Sequence, residues 1–174
     1  MTHTKHQAAT DAHGEPVSLG EFNGQEIYPM PMFAKLAVAD LAATAAWYEQ
    51  ALGFATIFRA PGPGGQPMLV HLRRRKYQDV LLVPGRSASG HASMALSLNF
   101  NADGEVDALA ESARAAAPVG ASAVNGPMDT PWNTRDLNVT DPAGNQLVFT
   151  ARNPNPDPEQ ALRMPAMLDA GRQR

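Results

Sequence analysis

Between Thr130 and Thr150 the sequence reads TPWNTRDLNVTDPAGNQLVFT, and two runs in it alternate with period two. Leu137 and Val139 alternate with Asp136, Asn138 and Thr140, and Leu147 and Phe149 with Gln146, Val148 and Thr150. This spacing predicts two strands with two different faces. Between them lies Asp141-Pro142-Ala143-Gly144-Asn145. Pro142 presets φ near the value a turn needs, and Gly144 tolerates positive φ. A β-hairpin with one apolar face is expected, and such a face needs a covering layer.

The preceding chain supplies one. Met32–Asp40 is expected to be a strand, with Leu36 and Val38 on one face and Phe33, Lys35 and Ala37 on the other. Asp40 is placed to cap a helix over Leu41–Leu52, where Leu41, Ala45, Tyr48 and Leu52 recur at helical spacing and Gly53 is the stop. Strands are expected at Phe54–Arg59, Met68–Arg74 and Asp79–Val83, with a Gly/Pro loop from Pro61 to Pro67. The Arg73-Arg74-Arg75-Lys76 run reads as a solvated hairpin tip or an anion site. After the Gly/Ser/Pro linker Pro84–Ala92 the order repeats. Ser93–Phe100 is a strand, Glu105–Ala117 a helix, Val119–Val124 a strand, Gly126–Trp132 a loop, and the closing hairpin follows. Leu72 and Val139 are 67 residues apart, as are Leu81 and Val148, while Phe33 and Ala95 are 62 apart. This is an internal duplication carried by pattern more than by identity. The fold class is therefore α+β: paired βαβββ modules, 31–84 and 92–152, forming a cup-shaped cleft. Residues 1–28 are expected to be a flexible arm, and residues 153–174 a Pro-rich tail.

Two motifs carry a resemblance. The DPAGN turn before an apolar last strand, and VADLAATAAWYEQALGF in the first strand-to-helix unit, resemble the glyoxalase / bleomycin-resistance / extradiol-dioxygenase (vicinal oxygen chelate) superfamily. In enzymes of that superfamily a divalent metal is held by His, Gln or Glu on the first and last strands of each module. Counting from the motifs places those positions at Phe33, Leu81, Ala95 and Val148, none with a nitrogen or oxygen donor in its side chain. The resemblance thus points to the metal-free, bleomycin-resistance-like branch, whose members bind a drug or metabolite in the cleft and commonly form homodimers.

Composition narrows the partners. The chain of 174 residues has a net charge of −3 and no basic stripe, so a nucleic-acid partner is not expected. It has no cysteine, which removes disulfides, a thiolate nucleophile and Cys-based zinc sites. No long apolar run predicts a membrane span, and a cytoplasmic protein is the expectation. His3, His6 and His13 in the arm share no strand or helix face.

Strand parity gives a cleft lining of Phe33, Lys35, Leu69, His71, Arg73, Leu81, Ser97, Asn138, Gln146 and Val148, with Trp132 at the loop edge. His71 is the candidate general base, or a hydrogen-bonded cleft residue without chemistry. Asp79 and Asp136 share its face by parity. Trp132 can stack on a planar ligand or cover a core edge, and Lys35 can pair an anion or lie at the rim. The first functional reading is metal-independent binding of a small organic molecule without cofactor, such as sequestration of an antibiotic or toxic metabolite. The alternative is a metal-free isomerase or cyclase using His71. A weaker third is a metal-dependent lyase or dioxygenase with displaced ligands such as His71 and His91.

Overall fold

The computed structural model describes residues 20–22, 25–28, 30, 32–85, 97–116, 123–155 and 158–159. A short antiparallel pair, β1 (Gly20–Phe22) and β2 (Gln25–Ile27), precedes two units built to one plan. The first has β3 (Ala34–Val38), α1 (Leu41–Leu52), β4 (Ala55–Pro61), β5 (Pro67–Arg73) and β6 (Asp79–Pro84). The second has β7 (Ser97–Asn101), α2 (Val106–Ala115), β8 (Val124–Asp129), β9 (Thr134–Thr140) and β10 (Gln146–Arg152). Each unit forms one four-stranded sheet, in the orders β3-β6-β5-β4 and β7-β10-β9-β8. In each, the first strand runs parallel to the last and the other pairs are antiparallel. This is the paired βαβββ architecture expected from the sequence.

Local chemistry explains α1. The Asp40 carboxylate accepts the Ala43 N–H at 2.9 Å, which satisfies one of the free amides of the first turn. At the other end Gly53 adopts φ 66°, a conformation that only glycine enters without strain. The helix buries Leu41, Ala45, Tyr48 and Leu52 against the sheet. Val70, Leu72, Val80 and Leu82 answer from the first sheet, and Leu137, Val139, Leu147 and Phe149 from the second. The two quartets are related residue by residue by the 67-residue spacing, and every member is fully or almost fully buried. Each such side chain contributes roughly 1.5–3 kcal/mol. Phe54, Phe100 and Phe149 link the modules into one core, with ring centroids 5.6 Å apart for the first pair and 5.3 Å for the second.

Two polar anchors cross between the modules. The Asp141 carboxylate, 1% exposed, accepts the Ala143 and Asn145 N–H groups, the Asn145 side-chain amide and the Tyr48 hydroxyl at 2.8 Å. Burial, and then the neighbouring Asp141, push the Tyr48 phenol well above its usual pKa, so it stays a donor. Arg74 makes the reciprocal link. Its guanidinium donates to the Leu52 carbonyl at the end of α1, to the Asn101 carbonyl at 3.1 Å, and to Glu105 at 2.5 Å.

Several expectations need correction. The basic run is a solvated tip only in its second half: the Arg74 side chain is 3% exposed and Arg73 pairs Asp79, whereas the Arg75 and Lys76 side chains stay exposed while pairing Glu105 and Glu26. The orphan carbonyl at the end of α1 and the carboxylates nearby draw these side chains in. The strand expected at Val119–Val124 lies mostly outside the described residues, whose next element is β8 over Val124–Asp129, and this strand takes up the first half of the loop expected at Gly126–Trp132. Gly126 and Pro127 sit in the irregularity between Asn125 and Met128, on an edge strand, where a proline without N–H is tolerated. Within the supposed arm, Gly20–Phe22 and Gln25–Ile27 pair as strands and Tyr28 is buried. Residues 1–19, the 86–96 segment and most of the tail lie outside the described residues, so the arm histidines, His91 and Ala95 do too.

Replacing Tyr48 by Phe should lower stability by about 1.5–3 kcal/mol, the scale of a hydrogen bond to a buried charge. Urea unfolding at neutral pH measures it. A loss of only a few tenths would show that the remaining three donors satisfy Asp141 alone.

Candidate functional site

The sheet faces turned away from α1 and α2 carry the candidate residues. On the first sheet, one row across the strands runs Lys35, Leu81, His71 and Phe58, each directly opposite the next. The neighbouring row pairs Asp79 with Arg73. Leu69 lies one row further, opposite Ala60. On the second sheet, Ser97 lies opposite Gln146, and Asn99, Val148 and Asn138 form one row. Trp132 stands apart, in the loop before β9 and 59% exposed.

Part of the first sheet's open face is roofed by the segment that follows β2. Tyr28 is 5% exposed; its hydroxyl accepts the Tyr77 N–H at 2.7 Å and donates to Asp79 Oδ2 at 3.2 Å. The Arg73 guanidinium stacks on the Tyr28 ring at 4.3 Å and donates to the Glu26 carbonyl at 2.7 Å. Asp79 is 4% exposed and takes a forked contact from Arg73, 2.7 Å from Nε and 3.2 Å from Nη2. Burial alone would raise the Asp79 pKa, but His71, the Arg73 hydrogen bonds and the Arg73 charge outweigh it and hold the carboxyl below its ordinary range. Burial raises Tyr28 above the usual phenol value. His71 Nε2 lies 3.6 Å from Asp79 Oδ1, too long for a hydrogen bond, and has no hydrogen-bond partner among the described residues. Sequence parity had put His71 and Asp79 on one face; the roles of Tyr28 and Glu26 were missed. Their signal was the Asn23-Gly24 pair between Glu21-Phe22 and Gln25-Glu26-Ile27, a strong hairpin dipeptide.

Two cavities open on this side. One, of about 220 Å³, lies beneath the roof and is lined by Tyr28, Met30, Ile57, Phe58, His71 and Arg73 among others. The second, of about 410 Å³, lies between the modules, with Met32, Phe33 and Asp79 on one side and Ser97, Leu98 and Asn99 on the other. Asp79 lines the second cavity and touches the pair that lines the first. Of the sequence candidates, Phe33 and Ser97 thus share one cavity, while His71 and Arg73 share the other. Lys35 and Leu81 continue the His71 row, whereas Asn138, Gln146 and Val148 extend the Ser97–Asn99 side. Trp132 faces none of these groups.

The expected metal positions do not form a donor set. Lys35 pairs with Leu81 and Asn99 with Val148, and Leu81 and Val148 are equivalents. The counterpart of Phe33 is therefore Ser97, 64 residues on, and not Ala95, at 62. The two-residue correction keeps the face unchanged. It substitutes one hydroxyl for a methyl beside Phe33, Leu81 and Val148, which is no cage for a divalent ion. Among the described residues no group of three or more His, Asp or Glu side chains could hold a metal, and no helix is long and apolar enough to cross a membrane.

Paired βαβββ modules with ligand-sized cavities against their open faces define a class of small-molecule cleft folds. The sequence profile of the Glyoxalase/Bleomycin resistance protein/Dioxygenase superfamily matches residues 31–149, and the chain belongs to that superfamily. Solved structures agree in fold. TioX from Micromonospora sp. ML1 is 20% identical, with a TM-score of 0.54, over 72% of this chain and 98% of that one. TnmS3, an antibiotic binding protein from Streptomyces sp. CB03234, is 24% identical, with a TM-score of 0.53, over 69% and 93%. A bleomycin-binding protein solved with bleomycin is 20% identical, with a TM-score of 0.53, over 70% and 97%. No curated protein matches.

The depressed Asp79 pKa has a pH consequence. A carboxyl whose folded pKa lies below its unfolded value contributes stability that is present above about pH 4 and is lost as pH falls through the folded value. Asp79→Asn should therefore destabilise the protein at pH 7 and shrink its further loss between about pH 5 and pH 2. Urea unfolding across that range checks both. An unchanged acid slope would show that Asp79 titrates normally.

Proposed function

We propose that the chain binds a small organic molecule between its open sheet faces, as a sequestering protein for an antibiotic or other toxic metabolite, without a metal ion. The observation that carries this reading is the inter-module cavity. At about 410 Å³ it falls in the size range of ligand sites, and it combines Phe33, Met32 and Leu98 with Ser97, Asn99 and Asp79. Apolar walls with a few polar groups suit a drug-sized ligand. The donor-poor set Phe33, Leu81, Ser97 and Val148 supports the metal-free branch. TnmS3 and the bleomycin-binding protein, which bind antibiotics, support the ligand class.

The proposal includes a homodimer. Met32, Phe33, Phe58 and Met128 are exposed apolar side chains on or beside the open faces, and each sheet ends in edge strands that pair with no other described strand. Sedimentation at micromolar concentration should report a dimer; an 18.5 kDa species throughout would contradict it.

A metal-free isomerase or cyclase is the second reading, favoured by the nearness of His71 to Asp79. It stands behind binding because Asp79 is already committed to Arg73 and Tyr28 and does not hydrogen-bond His71. For a lyase or dioxygenase with displaced metal ligands, His71 finds only that committed carboxylate nearby among the described residues, which do not include His91.

Calorimetric titration separates these readings, using a thermal-shift panel that includes bleomycin to find ligands. A ligand at 100 times its Kd should stabilise the fold by about 2.7 kcal/mol. Its affinity should be the same before and after EDTA treatment, and Asn99→Ala, in the wall of the inter-module cavity, should weaken it by about 1 kcal/mol. Loss of binding with EDTA, or one metal per chain in elemental analysis, would overturn the metal-free reading. Turnover that falls by roughly 10²–10⁴ in His71→Ala would establish the enzyme.

A further inference from the structure

The open face of the second module differs in chemistry from that of the first. Ser97, Asn99 and Asn101 alternate along β7, all exposed; Gln146 and Thr150 follow on β10, and Asp136, Asn138 and Thr140 on β9. Around Val148 the face is mostly carboxamides and hydroxyls, with the Asp136 carboxylate among them, whereas the first module presents Phe58, Leu69, Leu81 and His71 beside Lys35 and Arg73. At its far end lies a third depression, of about 420 Å³, lined by Asn101, Asp103, Trp132, Thr134, Thr150 and Arg152 together with Asn133.

This depression holds unspent hydrogen-bonding capacity. Thr134 and Thr150 both donate to Asp136 Oδ1, at 2.8 and 2.6 Å, which leaves the Thr150 hydroxyl oxygen as an acceptor toward the depression, beside Asp103 and Arg152. Asn133 is held at φ 63° by its own N–H to the Thr130 carbonyl and by the Asn153 N–H to its carbonyl. The loop that presents Trp132 is therefore braced on both sides. A large indole left 59% exposed beside acceptors, hydroxyls and one guanidinium is an unusual surface.

We infer that this depression is a recognition surface for an uncharged polyhydroxyl group, a sugar substituent, with Trp132 as its stacking platform. The inference rests on the small-molecule reading and names a part of that ligand. A sugar ring has an apolar face for the indole and O–H groups that both donate and accept. It can donate to Asp103 and the Thr150 hydroxyl and accept from Arg152. A flat aromatic body would stack equally well but would leave those polar groups desolvated and unpaired. An anion would meet Asp103, and a cation would meet Arg152. The two ligand parts are in reach of each other. Asn99 lines the inter-module cavity and Asn101 lines the depression, two residues along one strand and so about 7 Å apart.

The test uses the full chain and three probes: methyl glucoside, a hydroxyanthraquinone and its uncharged glucoside. In amide NMR spectra methyl glucoside, titrated up to its solubility, should move the Trp132 indole signal and leave the buried Trp47 indole still. The anthraquinone glucoside should bind about tenfold more tightly than its aglycone, the scale of one or two net hydrogen bonds. Trp132→Ala, at an exposed position, should erase that difference and leave aglycone affinity unchanged; Thr150→Val should reduce it. No shift with methyl glucoside would overturn the inference. So would a Trp132→Ala variant that weakens aglycone and glucoside alike. If methyl glucoside moves Trp132 while the aglycone does not bind, the sugar surface stands and the aromatic-cleft reading fails.

Discussion

The buried Asp141 carboxylate is the contact on which the arrangement of the two modules depends. A charge with 1% exposure is tolerable only when its oxygens are fully used, and here four donors use them. Three come from the turn it opens, and the fourth is Tyr48 from the helix of the other module. One residue therefore shapes the β9–β10 hairpin and ties it to α1. Arg74 repeats the logic from the first module, reaching the Asn101 carbonyl and Glu105 of the second. With these two anchors and a continuous aromatic core, β3 and β7 are held as the two walls of the inter-module cavity.

The polar chemistry on the open side is distributed unevenly. The first module concentrates it in Arg73, Asp79 and Tyr28, whose mutual contacts leave apolar surface around them. Asp79 is satisfied by its neighbours, so the roof is fastened by charge-assisted contacts and by the Tyr28 hydroxyl, which bridges Asp79 and the Tyr77 backbone. The second module spreads carboxamides and hydroxyls, with the Asp136 carboxylate among them, along three strands. A ligand that meets both surfaces has an apolar part and a hydrogen-bonding part.

Much of this was legible in the residues. Asp40 and Gly53 bound α1 because capping chemistry is local, and the 67-residue spacing identified both buried quartets because burial imposes period two on each strand. The face of every candidate on β3, β5, β6, β7, β9 and β10 followed from the same parity. Other features depended on partners that are distant in sequence. Glu26 and Tyr28 read as part of an arm until Arg73, Asp79 and Tyr77 stand beside them. The basic run reads as solvated until Leu52, Asn101 and Glu105 supply acceptors. The equivalence of Phe33 with Ser97 depends on hydrogen-bond register between parallel strands, which a count along the chain misses by two residues. Strand β8 was hidden because Gly126 and Pro127 are breakers in isolation and are accommodated only by an edge strand with an irregular register.

The central claim is that a ligand occupies the open faces and is touched by the Tyr28 roof, while the helices stand behind. Hydrogen–deuterium exchange of the full chain, with and without a saturating ligand, tests this directly. The account predicts added protection in Gln25–Tyr28, the start of β3, Tyr77–Asp79 and β7, with α1 and α2 unchanged. Protection confined to α1 and α2, with the roof and β7 unaffected, would contradict it.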